Sequence, residues 1–143
     1  MKQHFTLVIL TLATTLAGCT AIKVRPVDNL SEIRHVCIQE NPKVMVSDFV
    51  PVLEDGFRRH GISTERVNGH PAHCEFLLTY SARRSWDMAA YLSQAELRLS
   101  QGGRGMIATA DYHLRGKGGL ALNKWASTET KIAPVIDQLL TGR

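Results

Sequence analysis

Two runs of alternating residues, separated by the glycine-rich segment Gln101 to Gly105, most constrain how this chain can fold. In the first run, one face carries Ala95, Leu97 and Leu99, and the other carries Leu92, Gln94, Glu96 and Arg98. In the returning run, Ala108, Ala110, Tyr112 and Leu114 lie opposite Ile107, Thr109, Asp111 and His113. A period of two residues is that of a β-strand, so the pattern predicts an antiparallel hairpin that is covered on one face.

Two other segments have the spacing of amphipathic helices. The first places Phe49, Val52, Leu53 and Phe57 on one face. Ser47 is the expected N-cap of this helix, and Gly61 is the expected left-handed residue after its end. The second places Ile132, Val135, Ile136, Leu139 and Leu140 on one face, with Pro134 near the start.

Further strands complete the predicted architecture. Short β-branched or alternating runs at 33–38, 62–67 and 75–84 predict three strands, and a short edge strand is a further option over Leu120 to Trp125. The order is therefore β-α-β-β-β-β-α. We expect an α+β two-layer sandwich, with a mostly antiparallel sheet of four to six strands and two helices packed on one face.

The N-terminus has the features of a bacterial export signal. Lys2 is followed by an apolar run of about a dozen residues, which is too short to span a membrane. The sequence Leu16-Ala17-Gly18-Cys19 resembles a lipobox, in which the cysteine thiol is acylated and the chain is cut before it. The alternative is an ordinary signal peptide with a chance cysteine. Thr20, in place of an aspartate, favours the periplasmic face of the outer membrane.

These features divide the chain into a signal peptide at 1–18, a lipidated tether at 19–31 and one periplasmic domain at 32–143. Removal of Lys2 with the signal leaves 16 basic and 13 acidic residues, a net charge of +3. The basic residues are spread along the chain, so the sequence does not predict a nucleic-acid partner. The expected partners are the membrane, reached through the acyl chains, and an envelope protein or ligand.

The cysteines that follow the lipobox leave two alternatives open. Cys37 and Cys74 are a disulfide candidate in an oxidising compartment, but they could equally be two separately buried thiols. His70, His73 and Cys74 form an H-x-x-H-C pattern with residue types that bind zinc or copper. Because no second ligand cluster of matching spacing accompanies it, we predict no metal site.

Aromatic and basic residues mark a candidate binding surface around the link between two strands. Its residues are Arg83, Arg84, Trp86 and Tyr91, together with Lys117 and Trp125 from later segments. Such residue types are enriched at binding hot spots. The structural alternative is that Trp86 is partly buried and closes one end of the core, while Trp125 caps the sheet beside the last helix.

The sequence contains no recognisable catalytic motif. A hydrolase needs a nucleophile with a base, or a pair of carboxylates in a cleft. Neither pattern is present, so we expect a non-enzymatic protein without a cofactor that acts as an interaction or accessory module. A periplasmic module that binds lipid, glycan or peptide is the alternative.

The segments "CTAIKVRPV", "HVCIQENPKV", "DFVPVLEDGFRRHGIST", "CEFLLTYSARRSWD" and "YHLRGKGGLALNKW" resemble a family of short, functionally uncharacterised lipoproteins of proteobacteria. The resemblance spans nearly all of the chain after the signal. It implies a lipidated periplasmic domain, and it carries over one functional residue, Cys19 as the lipidation site.

Overall fold

The computed structural model describes residues 20–115 and 122–141, which form a six-stranded sheet and two α-helices. The strands are β1 (Thr20–Arg25), β2 (His35–Gln39), β3 (Ser63–Val67), β4 (Phe76–Asp87), β5 (Ala89–Gln101) and β6 (Gly105–Leu114). The helices are α1 (Phe49–Arg59) and α2 (Thr128–Leu139), and short 3₁₀ turns occupy Leu30–Glu32 and Leu122–Trp125.

The sheet is mixed and has the strand order β1-β6-β5-β4-β2-β3. Strands β1, β6, β5 and β4 pair with one another antiparallel. Strand β2 runs parallel to both of its neighbours, β4 and β3. The predicted α+β class and the predicted order of elements are confirmed. An additional strand, β1, precedes them.

One face of the sheet packs against both helices and forms the main core. Its largest enclosed side chains include Phe49 and Phe57 of α1, Ile38, Leu78, Leu97 and Leu99 of the sheet, and Ile132, Ile136 and Leu139 of α2. On the opposite face, a small cluster of Cys37, Val67, Cys74 and Leu77 is buried. The alternation predicted for β4–β6 produces this division, because successive side chains of a strand point to opposite faces.

Strand β1 corrects the expectation that residues 19–31 are a tether. Thr20 pairs with Leu114 and Arg25 pairs with Thr109, so this segment is the edge strand beside β6. Farther on, Val27 is 2% exposed, and its N–H donates to the Leu139 carbonyl at 2.9 Å. The described residues from Thr20 onward therefore belong to the folded domain.

A β-bulge changes the face that Leu92 occupies. Arg83 pairs with Gln94 but Arg84 pairs with Leu92, so Ser93 is the extra residue on β5. The sequence pattern placed Leu92 on the polar face, whereas it is 4% exposed and belongs to the core. An extra residue in one strand reverses the alternation beyond it, which explains the difference.

The residues at the helix ends agree only in part with those predicted from the sequence. The N-cap of α1 is Asp48 and not Ser47, and it makes no side-chain capping bond. Gly61 has the predicted left-handed φ of +73° after the end of α1. Ser127 caps α2 through a bond from the Thr130 N–H. Pro134 lies in the interior of α2 and not near its start.

The option of an edge strand over Leu120 to Trp125 is wrong for the described part of that segment. Residues 122–125 form a 3₁₀ turn that leads into α2, and residues 120 and 121 lie outside the described residues. No helix of residues 20–115 and 122–141 is both long enough and apolar enough to cross a membrane.

Candidate functional site

The β4–β5 hairpin extends beyond the neighbouring strands at one end of the sheet. Pairing between β5 and β6 stops at Gln94 with His113, whereas pairing between β4 and β5 continues to Asp87 with Ala89. Five residues of β5, Ala89 to Ser93, therefore lie past its last pair with β6. At the rise of a strand, this is a projection of about 15 Å.

Three large apolar side chains are exposed where this hairpin ends. Trp86 is 75% exposed, Met88 is 87% exposed, and Trp125 of the adjacent 3₁₀ turn is 42% exposed. We call these three residues the tip. Met88 forms the turn of the hairpin with a φ of 60°, a left-handed value that is uncommon for a residue other than glycine.

An ion pair joins the 3₁₀ turn to the hairpin below the tip. The ammonium group of Lys124 pairs with the carboxylate of Asp87, and Lys124 is only 1% exposed. The indole N–H of Trp125 donates to the backbone carbonyl of Asp87 at 3.1 Å. Trp125 is thus bonded to the residue that follows Trp86 in the hairpin.

Two lysines, Lys124 and Lys131, lie over the ring of Tyr91 next to the Lys124–Asp87 ion pair. The Nζ atoms of Lys124 and Lys131 lie 5.4 and 5.7 Å from the centre of the ring, within cation–π range. Lys131 also donates to the carbonyl of Leu92 at 3.0 Å and to that of Lys124 at 2.5 Å. Burial lowers the pKa of the Lys131 ammonium, because a charged group is disfavoured away from water.

The predicted binding surface is only partly assembled. Trp86, Tyr91 and Trp125 lie at the same end of the hairpin, with the exposed Arg83 and Arg84 beside the bulge. The alternative that Trp86 is partly buried is wrong, because the long hairpin carries it past the core. Trp125 binds the hairpin turn rather than capping the sheet. Lys117 and Cys19 lie outside the described residues.

The sequence patterns did not point to four residues at this end: Asp87, Met88, Lys124 and Lys131. For Lys131, a signal was available, because it lies on the buried stripe of α2 between Thr128 and Val135. Lys124 and Asp87 carry no local signal, since their pairing joins residues 37 positions apart in the sequence.

A groove beside the bulge has the two arginines on its wall. It encloses about 450 Å³ between β4 and the segment 41–46. Its lining includes Arg83, Arg84, Lys43, Met45 and Glu96. Trp86 and Tyr91 do not line it. A second open cavity of about 600 Å³ lies at the other end of the sheet, where Arg25, Asp28, Glu32 and Arg104 mix both signs of charge.

Cys37 and Cys74 are joined by a disulfide on the sheet face that lacks helices. Their Cα atoms are 5.8 Å apart, which is within the usual range for a bridge. The bridge ties β2 to the segment that precedes β4. Of the two alternatives left open by the sequence, the structure therefore has the disulfide.

Glu65 and His73 flank the disulfide, and their side chains complete a group of four potential metal ligands within 4.8 Å of one another. His73 Nε2 lies 2.5 Å from Glu65 Oε1, and the hydrogen bond from His73 lowers the pKa of Glu65. His70 is not part of the group. Because the disulfide consumes both thiolates, the bridged form offers only one imidazole and one carboxylate.

Comparisons with known proteins bear on the fold. A PelC point variant from Paraburkholderia phytofirmans, a dodecamer, is 11% identical and has a TM-score of 0.56, with 87% of this chain and 98% of that chain covered. A minor lipoprotein from Acinetobacter baumannii is 12% identical over 75% of this chain and 84% of that one, at a TM-score of 0.28. No family model and no curated protein matches the sequence. The PelC likeness shows that the two chains share a fold.

Proposed function

We propose that this protein is a lipoprotein of the outer membrane, held by acyl chains on Cys19, whose α+β domain is a non-enzymatic accessory module of the envelope. The observation that carries the proposal is the sequence Leu16-Ala17-Gly18-Cys19 directly before the first strand. The acylated residue is bonded to Thr20, which already pairs with Leu114. The domain is therefore held against the bilayer with little freedom to turn.

The described side chains favour an interaction role over catalysis. The buried polar groups at the hairpin are consumed by structural contacts: Lys124 by Asp87, and Lys131 by two backbone carbonyls. The groups that remain exposed at this end are aromatic, thioether and guanidinium side chains, which bind surfaces and are poor catalytic groups. The module would act by binding, with these side chains in contact with a neighbouring surface of the envelope.

Radiolabelled palmitate and fractionation test the anchor. In a Gram-negative host, the native protein should incorporate palmitate and sediment with the outer membrane. Cys19→Ala should lose the label and leave the membrane fraction. Cys37→Ala is the matched control, since it removes a cysteine outside the lipobox and should leave the label in place. A membrane-bound, normally processed Cys19→Ala protein would contradict the proposal.

The residue after the anchor tests the choice of membrane. Thr20→Asp should move the protein to the inner-membrane fraction, while Thr20→Ser should leave it in the outer membrane. The serine control keeps a β-hydroxyl at this position and removes only the methyl group. Recovery of the native protein and the serine variant with the inner membrane would remove the outer-membrane assignment and leave the anchor itself intact.

A periplasmic ligand-binding module is the second candidate, and the groove at Arg83 and Arg84 favours it. With Lys43 and Met45 on the facing wall, the groove offers positive charge and apolar surface to an acidic lipid, glycan or peptide. Arg83→Gln with Arg84→Gln should abolish copurification of a ligand detected by mass spectrometry of the denatured protein. An empty native protein would reject this candidate.

A further inference from the structure

We infer that the tip, Trp86 with Met88 and Trp125, is a second membrane contact that inserts into the interfacial region of the bilayer to which Cys19 is anchored. The inference rests on the proposed lipid anchor and goes beyond it. It assigns a ligand, a phospholipid surface, to residues that the anchor does not involve. It also fixes which end of the domain faces the bilayer.

The topology brings the anchor and the tip to the same end of the sheet. Thr20 pairs with Leu114 at the end of β6, and the neighbouring His113 pairs with Gln94 of β5. From that level, the β4–β5 hairpin continues outward by about 15 Å. Consecutive Cα atoms are about 3.8 Å apart, so a lipid on Cys19 begins within one residue of the same sheet end.

The chemistry of the tip suits the interface of a bilayer. Tryptophan has a large apolar ring and one polar N–H, and it is enriched at the boundary between lipid and water. The chain contains only two tryptophans, and both are in the tip. Methionine adds a flexible apolar side chain at the outermost residue. Exposing three such side chains together to water costs free energy, and this cost is removed when the side chains enter lipid.

Exposed arginines lie on the flank of the hairpin, behind the apolar residues. Arg83 and Arg84 precede Trp86 on β4, and Arg115 follows the end of β6. Guanidinium groups at this depth would meet phosphate headgroups, to which they bind bidentately. From the tip inward, the apolar side chains come first and the cationic ones follow. From the middle of a bilayer outward, the acyl chains likewise come first and the charged headgroups follow.

The structure also holds the tip in place before any lipid is bound. Asp87 receives the Lys124 ammonium on its side chain and the Trp125 indole N–H on its carbonyl. Ser93 Oγ accepts from Ser85 at 2.9 Å and donates to the carbonyl of Arg83 at 3.0 Å, which locks the bulge. A preorganised element loses little conformational entropy on insertion.

A bilayer is favoured over a protein partner or a second copy because of the anchor. An acyl chain at Cys19 would bring lipid to this end of every molecule, at a distance that the tip can reach. A protein partner would instead have to compete with that lipid for the same exposed side chains.

Quenching of tryptophan fluorescence by brominated phospholipids tests the inference directly. The full acylated chain is purified in detergent and reconstituted into vesicles of phosphatidylethanolamine and phosphatidylglycerol, with bromine placed either near the headgroup or deep in the acyl chain. Trp125→Phe leaves Trp86 as the reporter, and Trp86→Phe leaves Trp125. We expect a blue shift and strong quenching of Trp86, greater for shallow than for deep bromine, and weaker quenching of Trp125.

A reporter at the opposite end of the sheet is the matched control. Met106 is exposed near the β5–β6 turn, and Met106→Trp in a chain with both natural tryptophans changed to phenylalanine should be unquenched. Unquenched Trp86 in an acylated, vesicle-bound protein would overturn the inference and leave the anchor standing. Capture of Trp86 by photo-crosslinking to a protein or a second copy, without lipid quenching, would overturn it as well.

The same samples separate this inference from the proposed function. Mass spectrometry reports whether Cys19 carries acyl chains, and quenching reports whether the tip enters lipid. Quenching of an unacylated chain would support the tip and contradict the anchor. Acylation without quenching would do the reverse.

Discussion

Lys124 and Asp87 form an ion pair that links the turn before α2 to the end of the β4–β5 hairpin. The lysine is almost fully enclosed, whereas the aspartate side chain is 43% exposed. The pair therefore lies at the boundary between the core and the exposed tip. It makes the position of the tip depend on the packing of a segment far away in the sequence.

The asymmetry of this pair predicts different costs for its two partners. Asp87→Asn leaves a buried ammonium without its carboxylate. Breaking a fully buried pair costs about 3–5 kcal/mol, and since Asp87 is half-exposed, we expect about 2 kcal/mol. Lys124→Met removes the charge and keeps the apolar stem, and should cost less than about 1 kcal/mol. Urea denaturation measures both. A larger loss for Lys124→Met would contradict the assignment.

A close contact between the helices gives a second prediction. A Cβ on Gly56 of α1 would lie 2.5 Å from Ile136 Cδ1 of α2, and Ile136 is fully buried. Gly56→Ala gains about 1 kcal/mol of helix propensity, but overpacking costs about 1–3 kcal/mol. We therefore expect a net loss of stability in thermal unfolding, and a smaller loss in an Ile136→Val background.

Gly102→Ala is the matched control for this substitution. A Cβ on Gly102 would meet only the Glu75 carbonyl oxygen, at 3.8 Å. Its effect should stay within about 0.5 kcal/mol. If both alanine variants unfolded like the native protein, the helices would have to be farther apart than described.

The disulfide predicts a large effect of reduction. The bridge joins residues separated by 37 positions, and the chain-entropy relation gives about 4 kcal/mol for a loop of this length. Reductant should lower the denaturation midpoint of the native protein and leave that of a Cys37→Ala, Cys74→Ala variant unchanged. Alkylation of the unfolded, non-reduced protein should modify neither Cys37 nor Cys74. Two alkylated thiols at these positions would contradict the bridge.

The ion pair between Glu54 and Arg66 predicts a pH dependence of stability. Arg66 donates two hydrogen bonds of 2.7 Å to the carboxylate, and this bonding holds the pKa of Glu54 below its ordinary value of 4.5. The folded state thus binds fewer protons than the unfolded state in acid. The stabilisation is complete above the unfolded pKa and is lost as the pH falls through the folded pKa.

Glu54→Gln should therefore cost about 0.5–1 kcal/mol at pH 7, a modest amount because the pair is partly exposed. The cost should shrink as the pH falls below 4.5, because Glu54 of the wild-type chain then protonates in the unfolded state before it does in the folded state. In an Arg66→Met background, the same substitution should have little effect at either pH. A pH-independent cost would show that the charge of Glu54 is not what stabilises the fold.

The left-handed turn at Met88 makes substitutions there sensitive to side-chain shape. A non-glycine residue in this region costs about 1–2 kcal/mol, offset in part by the entropy that glycine loses on folding. Met88→Gly should leave stability unchanged or raise it by up to about 1 kcal/mol, whereas Met88→Val should lower it. Equal unfolding midpoints for the two variants would argue against the turn described.

Local patterns were enough to predict the helices and most strands. Phe57 and Ile132 lie on faces set by helical periodicity, and Leu97 and Ala110 on faces set by a period of two residues, so each follows from nearby residues alone. Strand β1 could not be predicted in this way. Its pairing with β6 is a contact between distant residues, Thr20 and Leu114, and an edge strand needs no apolar face of its own.

The candidate site was harder to predict for the same reason. Aromatic residues are usually buried, and the exposure of Trp86 follows from the length of the β4–β5 hairpin relative to β6. The bulge at Arg83 and Arg84, which reverses the face of Leu92, has no signature in the alternation that precedes it. The burial of Lys124 depends on its ion pair with Asp87, which lies far away in the sequence.

The mature N-terminus decides whether this protein is a lipoprotein anchored through Cys19. The full chain is expressed in a Gram-negative host, purified from membranes, and its N-terminal peptide is identified by mass spectrometry. We expect a chain that begins at Cys19, with a diacylglyceryl thioether on its sulfur and an acylated amino group. A chain that begins at another residue, or one that begins at Cys19 with a free thiol, would contradict it.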